Sequence, residues 1–150
     1  MPSDSRLPRV LHALLHLDQM KAPATSDVIG QMLGTNPSVV RRTMAGLRKA
    51  GLVSSTKGHG GGWLLAKSLS EITLGDVYDA LGAPPLFALG PAVDAPSCLM
   101  EQAANAATAR ALDCAAKTFS QELAAITVAD LAEDFEGRLA KLKSAPKISK

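Results

Sequence analysis

Residues 36–67, NPSVVRRTMAGLRKAGLVSSTKGHGGGWLLAK, decide the fold of this chain. Asn36 can accept hydrogen bonds from the free N–H groups that open a helix. Pro37 then stands at the first helical position, where a missing N–H costs nothing. Val40, Met44 and Leu47 follow at i, i+4 and i+7 and predict a buried stripe, while Ser38, Arg41, Arg42, Ala45, Arg48 and Lys49 fall away from it. The cationic face is therefore the solvent face. Gly51 supplies a left-handed residue to end the helix, residues 52–56 read as a strand, KGHGGG (57–62) as a turn, and residues 63–67 as the return strand. Upstream, residues 26–33 form a short helix capped by Thr25 or Ser26, and Gly34 begins a tight connection. Two helices so joined and followed by a hairpin make a winged helix-turn-helix, which seats its second helix in the major groove of DNA.

Charge points the same way. Residues 1–67 carry nine Lys/Arg against three Asp, a net of +6, whereas residues 68–150 carry seven against eleven Asp/Glu, a net of −4. A basic lobe gains affinity for phosphate by releasing condensed counterions, and an acidic lobe is repelled. The overall charge of +2 hides this division.

Outside the wing, residues 7–20 predict a first helix whose apolar face is Val10, Leu11, Leu14, Leu15 and Leu17. Thr73 and Asp76 have the spacing of a capping pair, opening a helix to about Leu81. Residues 82–97 hold four prolines and must be a loop; long loops in small domains tend to be either functional or mobile. Residues 99–125 are alanine-rich, with Ala104, Ala111, Leu112, Ala115, Phe119, Leu123 and Ile126 along a narrow seam suited to a symmetry mate or to the first helix. Thr127 and Asp130 repeat the capping pattern ahead of a helix containing Val128, Leu131, Phe135 and Leu139. The expected organisation is a DNA-binding unit (1–81), a proline-rich sensing loop (82–97), dimerisation helices (98–143) and a polar, disordered tail (144–150). A chain with 47% hydrophobic but only 3% aromatic residues has a core mostly of Ala, Leu and Val, which suits helix-on-helix packing. Residues 10–17 are apolar but too short to span a bilayer, so the expected setting is the cytoplasm, without membrane association. Two cysteines there argue against a disulfide framework.

The segments 35–42 (TNPSVVRR), 47–53 (LRKAGLV) and 58–66 (GHGGGWLLA), continued by 72–78 (ITLGDVY), 85–87 (PLF), Cys98 and residues 123–131, resemble the Rrf2 family of bacterial transcription regulators. The resemblance covers nearly all the chain except its termini. It implies a mainly α fold with a small β-hairpin wing, a homodimer built on a long C-terminal dimerisation helix, double-stranded DNA as partner, and a wing tip entering the minor groove. Some relatives sense oxidants or nitric oxide through an iron–sulfur cluster held by three closely spaced cysteines in the loop before the long helix. Here only Cys98 stands in that region, and clusters normally need four ligands. A cluster cofactor is therefore disfavoured, and the sequence resembles the branch with a lone cysteine.

The candidate DNA-binding residues are Ser38, Arg41, Arg42, Arg48, Lys49, Lys57 and His59. Arg41 and Arg42 sit one turn into the recognition helix, where a guanidinium can pair with guanine O6 and N7. Arg48 and Lys49, farther along, suit phosphate contact, which sets register without reading sequence. Cys98, at a predicted helix N-terminus, is a candidate redox-sensing thiol because the helix dipole favours its thiolate, with an oxidant or a small effector as the signal; Cys114 is expected to be buried. Leu86, Phe87 and Leu89 either line an effector pocket or fold onto the core, and packing is the expectation. His12 and His16 have a zinc-compatible i, i+4 spacing but no obvious acidic or thiol partner, so they read as surface or helix-packing histidines and no metal site is expected. The glycine turn lacks the ending of a phosphate-binding loop, and no catalytic grouping is visible, which argues against an enzyme. The leading function is a sequence-specific regulator, expected to be a repressor, on an inverted-repeat operator. The alternatives are a cluster-dependent sensor on the same scaffold and a winged-helix protein-interaction module.

Overall fold

The computed structural model describes residues 3–91 and 97–145. Helices α1 (Arg6–Met20), α2 (Ser26–Leu33) and α3 (Pro37–Lys49) are followed by strands β1 (Val53–Thr56) and β2 (Gly62–Leu65). A 3-10 turn, Leu69–Glu71, then leads to α4 (Leu74–Ala80), α5 (Leu99–Ala125) and α6 (Val128–Ser144). The mainly helical architecture with a two-stranded wing is the one expected.

The core lies between α1 and the elements around it. Val10, Leu11, Ala13, Leu14 and Leu17 of α1 join Ile29, Met44, Leu47, Leu52, Trp63, Ile72, Val77 and Val128 in one buried cluster, with Leu15 half-buried against it. Each such fully buried aliphatic side chain contributes about 1.5–3 kcal/mol relative to exposure. Thr25, not Ser26, caps α2 by accepting from Val28 N–H at 3.2 Å. α3 ends in a Schellman motif: Gly51 (φ +77) donates to Arg48 and Leu52 donates to Leu47 at 3.0 Å. That bond uses the Leu52 N–H, so β1 begins at Val53, one residue later than expected. β2 begins one residue earlier and ends two earlier than expected, with Val53 facing Leu65 and Thr56 facing Gly62.

Two similar sequences meet across the domain. Thr73 and Asp76 form a reciprocal capping box, as do Thr127 and Asp130. Their entry residues pair antiparallel, Leu74 donating to Ile126 at 2.9 Å and Val128 to Ile72 at 2.8 Å. Ile72 and Val128 are fully buried beneath this bridge, so the start of α6 is fixed to the winged-helix half. The 3-10 turn, which the sequence reading overlooked, carries its own capping box from Ser68 and Glu71.

Several expectations need correction. Leu86, Phe87 and Leu89 do not fold into the core; Leu89 is 69% exposed. The Tyr78 hydroxyl donates to the Pro84 carbonyl and its ring meets Phe119 edge-on at 5.5 Å, so the loop is tied at its start and Leu86, Phe87 and Leu89 line an open cavity of about 410 Å³ with these two rings instead of packing inward. Cys114 is exposed rather than buried, since the inner face of α5 is taken by Leu112, Ala116, Phe119 and Leu123. Ser144 belongs to α6, not to a tail. Residues 92–96 of the proline loop and 146–150 of the tail lie outside the described residues.

Candidate nucleic-acid interface

The connection between α2 and α3 is tightened by Gly34 in the left-handed region (φ +62) and by a 2.9 Å bond from Thr35 N–H to Gly30 O. Asn36 Oδ1 accepts from both Ser38 N (2.9 Å) and Ser38 Oγ (2.5 Å). The Ser38 hydroxyl proton is therefore committed to the cap, leaving its oxygen as an acceptor. Val40, Met44 and Leu47 are buried as predicted, and Ser38, Arg41, Arg42, Arg48 and Lys49 are exposed on the rest of the helix. Lys57 and His59 are exposed at the tip of the hairpin.

The wing is held in place by more than its own strands. Ala24, in the α1–α2 connection, pairs with Trp63 through bonds of 3.0 and 2.8 Å on the side of β2 away from β1. A Cβ on Gly62 would come within 2.6 Å of the Ala24 backbone, so the approach of these strands requires glycine there. The Trp63 indole donates to Ser26 Oγ at 3.0 Å in a buried bond linking wing and α2. On its other side lies Arg48, whose Nη1 donates to Ser55 Oγ at 3.0 Å and whose guanidinium carbon is 5.8 Å from the Trp63 ring centroid. Arg48 thus folds onto the wing instead of extending outward like Arg41 and Arg42. Ala24, Ser26 and Ser55 were missed in the sequence because their partners are distant; only the single tryptophan signalled that its N–H needed an acceptor.

Cys98 is the N-cap residue of α5 and is exposed. The backbone N–H groups of Glu101, and secondarily Met100, hold its pKa below the usual thiol value of 9.0, although neither makes a side-chain capping bond. Cys98 and Cys114 are sixteen residues apart on this helix, about 24 Å along its axis.

The Rrf2 family, described as an iron-dependent transcriptional regulator, matches residues 3–134. YwgB of Bacillus subtilis (strain 168) is 39% identical over 83 residues, 54% of this chain and 53% of its own length. The HTH-type transcriptional regulator IscR of Photorhabdus laumondii subsp. laumondii is 36% identical over 89 residues, 59% of this chain and 48% of its own. The chain thus spans about half the length of these curated relatives. Among solved structures, T. potens IscR matches with a TM-score of 0.67 at 25% identity, over 92% of this chain and 90% of that one. CymR, the global cysteine regulator of B. subtilis, matches with a TM-score of 0.58 at 25% identity, over 89% and 98%.

An iron–sulfur cluster calls for about four ligands, usually thiolates. The two cysteines are too far apart to share a cluster within one chain, and no three His, Cys, Asp or Glu side chains converge as a metal set among the described residues. The residues present do not fit a cluster held by a single chain. What the match, the relatives and the helix–wing geometry establish together is the family: this chain belongs to the Rrf2 winged-helix transcriptional regulators.

Proposed function

We propose that this protein is a cytoplasmic, sequence-specific repressor that binds an inverted-repeat operator as a homodimer. The observation that carries the reading is the exposed cationic face of α3 beside the Lys57–His59 wing tip, both standing on a fully packed winged helix. Arg41 and Arg42 read base edges in the major groove, Lys49 contacts phosphate, and Lys57 and His59 approach the minor groove. Ser38 accepts at the helix N-terminus. Arg48 serves differently from the sequence expectation: held by Ser55 and Trp63, it sets the distance between recognition helix and wing.

Support for a dimer comes from α5, about 40 Å long, of which Leu123 is the one buried residue; Leu99 and Met100 are 77% and 82% exposed. A twofold partner along this helix would present a second α3 to the duplex, and helix-turn-helix dimers place their recognition helices about one turn, roughly 34–36 Å, or a multiple of it apart. Cys98, exposed at the start of the same helix with a favoured thiolate, is the proposed point of response to oxidants. Gel-shift titration of duplex from the protein's own upstream region, with and without oxidant, tests the reading. Retarded DNA lost in Arg41→Ala/Arg42→Ala, and a response to oxidant lost in Cys98→Ser, are expected; equal retention of unrelated DNA would contradict specific recognition.

A further inference from the structure

His12 and His16 lie one turn apart on the outer side of α1, with their Nε2 atoms 2.8 Å apart and ring centroids 4.6 Å apart. Their nitrogens converge on a single point, and among the described residues no other hydrogen bond holds either ring. They stand at one wall of a cavity of about 210 Å³ between α1 and α6, floored by Leu15, Leu69 and Phe135. Glu136 of α6 forms part of the opposite wall. Two carboxylates line this cavity: Asp18, which pairs with Lys21 at 3.5 Å, and Glu136, which the fold brings from the far end of the chain.

We propose that His12 and His16 form a two-nitrogen site for a borderline divalent cation such as Zn²⁺, with Glu136 closing across the cleft as the carboxylate ligand. In the present rotamers Glu136 does not complete a set of three ligands, so its side chain turns into the cavity when the cation enters. Metal–nitrogen bonds of about 2.0–2.1 Å in tetrahedral geometry place two nitrogens about 3.3 Å apart, an opening of roughly half an ångström that side-chain torsions supply. The balance is simple: the ring that donates in the free pair moves its proton from Nε2 to Nδ1 through solvent, and both Nε2 lone pairs bind the cation with no net proton release. Water fills the remaining coordination. Such a site would cross-link the helix at the centre of the winged-helix core to the C-terminal helix, stabilising that packing by mass action. The inference does not depend on the DNA-binding reading, because its readout is cation binding.

The test is calorimetric titration of ZnCl₂ into the full chain carrying Cys98→Ser/Cys114→Ser, which removes the competing thiols. One Zn²⁺ per chain is expected, weakened at least about tenfold by His12→Gln or His16→Gln, and severalfold by Glu136→Gln. Circular dichroism checks that each variant keeps its helices. The same chain with its histidines intact, loaded with Cu²⁺, should show coupling to two nitrogens in its electron paramagnetic resonance spectrum. Absence of nitrogen coupling, Zn²⁺ binding that survives both histidine changes, or indifference to Glu136→Gln overturns the proposal.

Discussion

Helices α3 and α5 are built on opposite terms. In 13 residues α3 buries Val40, Met44 and Leu47 at consistent helical spacing and leaves its cations outside; in 27 residues α5 buries Leu123 alone and leaves leucine, methionine and alanine in the open. The first is complete within one chain. The second has an apolar surface larger than its own chain covers, which is the condition for a partner along its length. Stability and recognition are therefore expected to divide between the two regions.

The largest effect tests that division. Leu47→Ala should lower stability by about 2–5 kcal/mol, the same at every protein concentration in thermal or urea unfolding. Ala111→Arg on the exposed face of α5 should leave the fold intact and, if α5 carries the proposed homodimer, sediment as a single chain. A concentration-dependent loss in the first variant, or an unchanged association state in the second, would reverse the roles assigned here.

Within the DNA-facing region, Arg41→Ala should cost about 1–3 kcal/mol of discrimination at one base pair, read from affinities for operators altered one position at a time. A uniform loss across all of them makes Arg41 a phosphate contact. Arg48 and Lys49 sharpen the contrast further. Lys49→Ala should reduce the slope of log affinity against log salt by about one phosphate contact. Arg48→Ala should weaken binding with that slope unchanged, because its guanidinium is spent on Ser55 and Trp63.

The smallest expected effect concerns Cys98. Thiolate is the reactive form, and the first-turn N–H groups lower this thiol's pKa. Its alkylation rate should therefore reach half its plateau at a lower pH than that of an unstructured peptide thiol measured alongside it. A midpoint equal to or above that of the peptide would mean that the helix N-terminus gives the thiol no advantage.

Much of this was legible because local physics fixed it. Asn36-Pro37 starts α3, Gly51 ends it, and Thr73/Asp76 and Thr127/Asp130 mark two helix starts, since each signal and its consequence lie within four residues. The contacts between segments were not legible. Nothing near Ser26 announces Trp63, and nothing near Arg48 announces that Ser55 will hold it. Leu89 and Cys114 were misplaced for a related reason: periodicity tells which residues share a face, but not whether another surface covers it. For α5 the covering surface proposed above is a second chain.

The central claim is that paired chains present two cationic helix–wing surfaces to one duplex. Fluorescence anisotropy titration of a labelled operator duplex, at protein concentrations well above the dissociation constant and repeated across a salt series, tests it most directly. Saturation at two chains per duplex, with affinity falling steeply as salt rises, is the predicted result. Saturation at one chain per duplex, or affinity indifferent to salt, would contradict it.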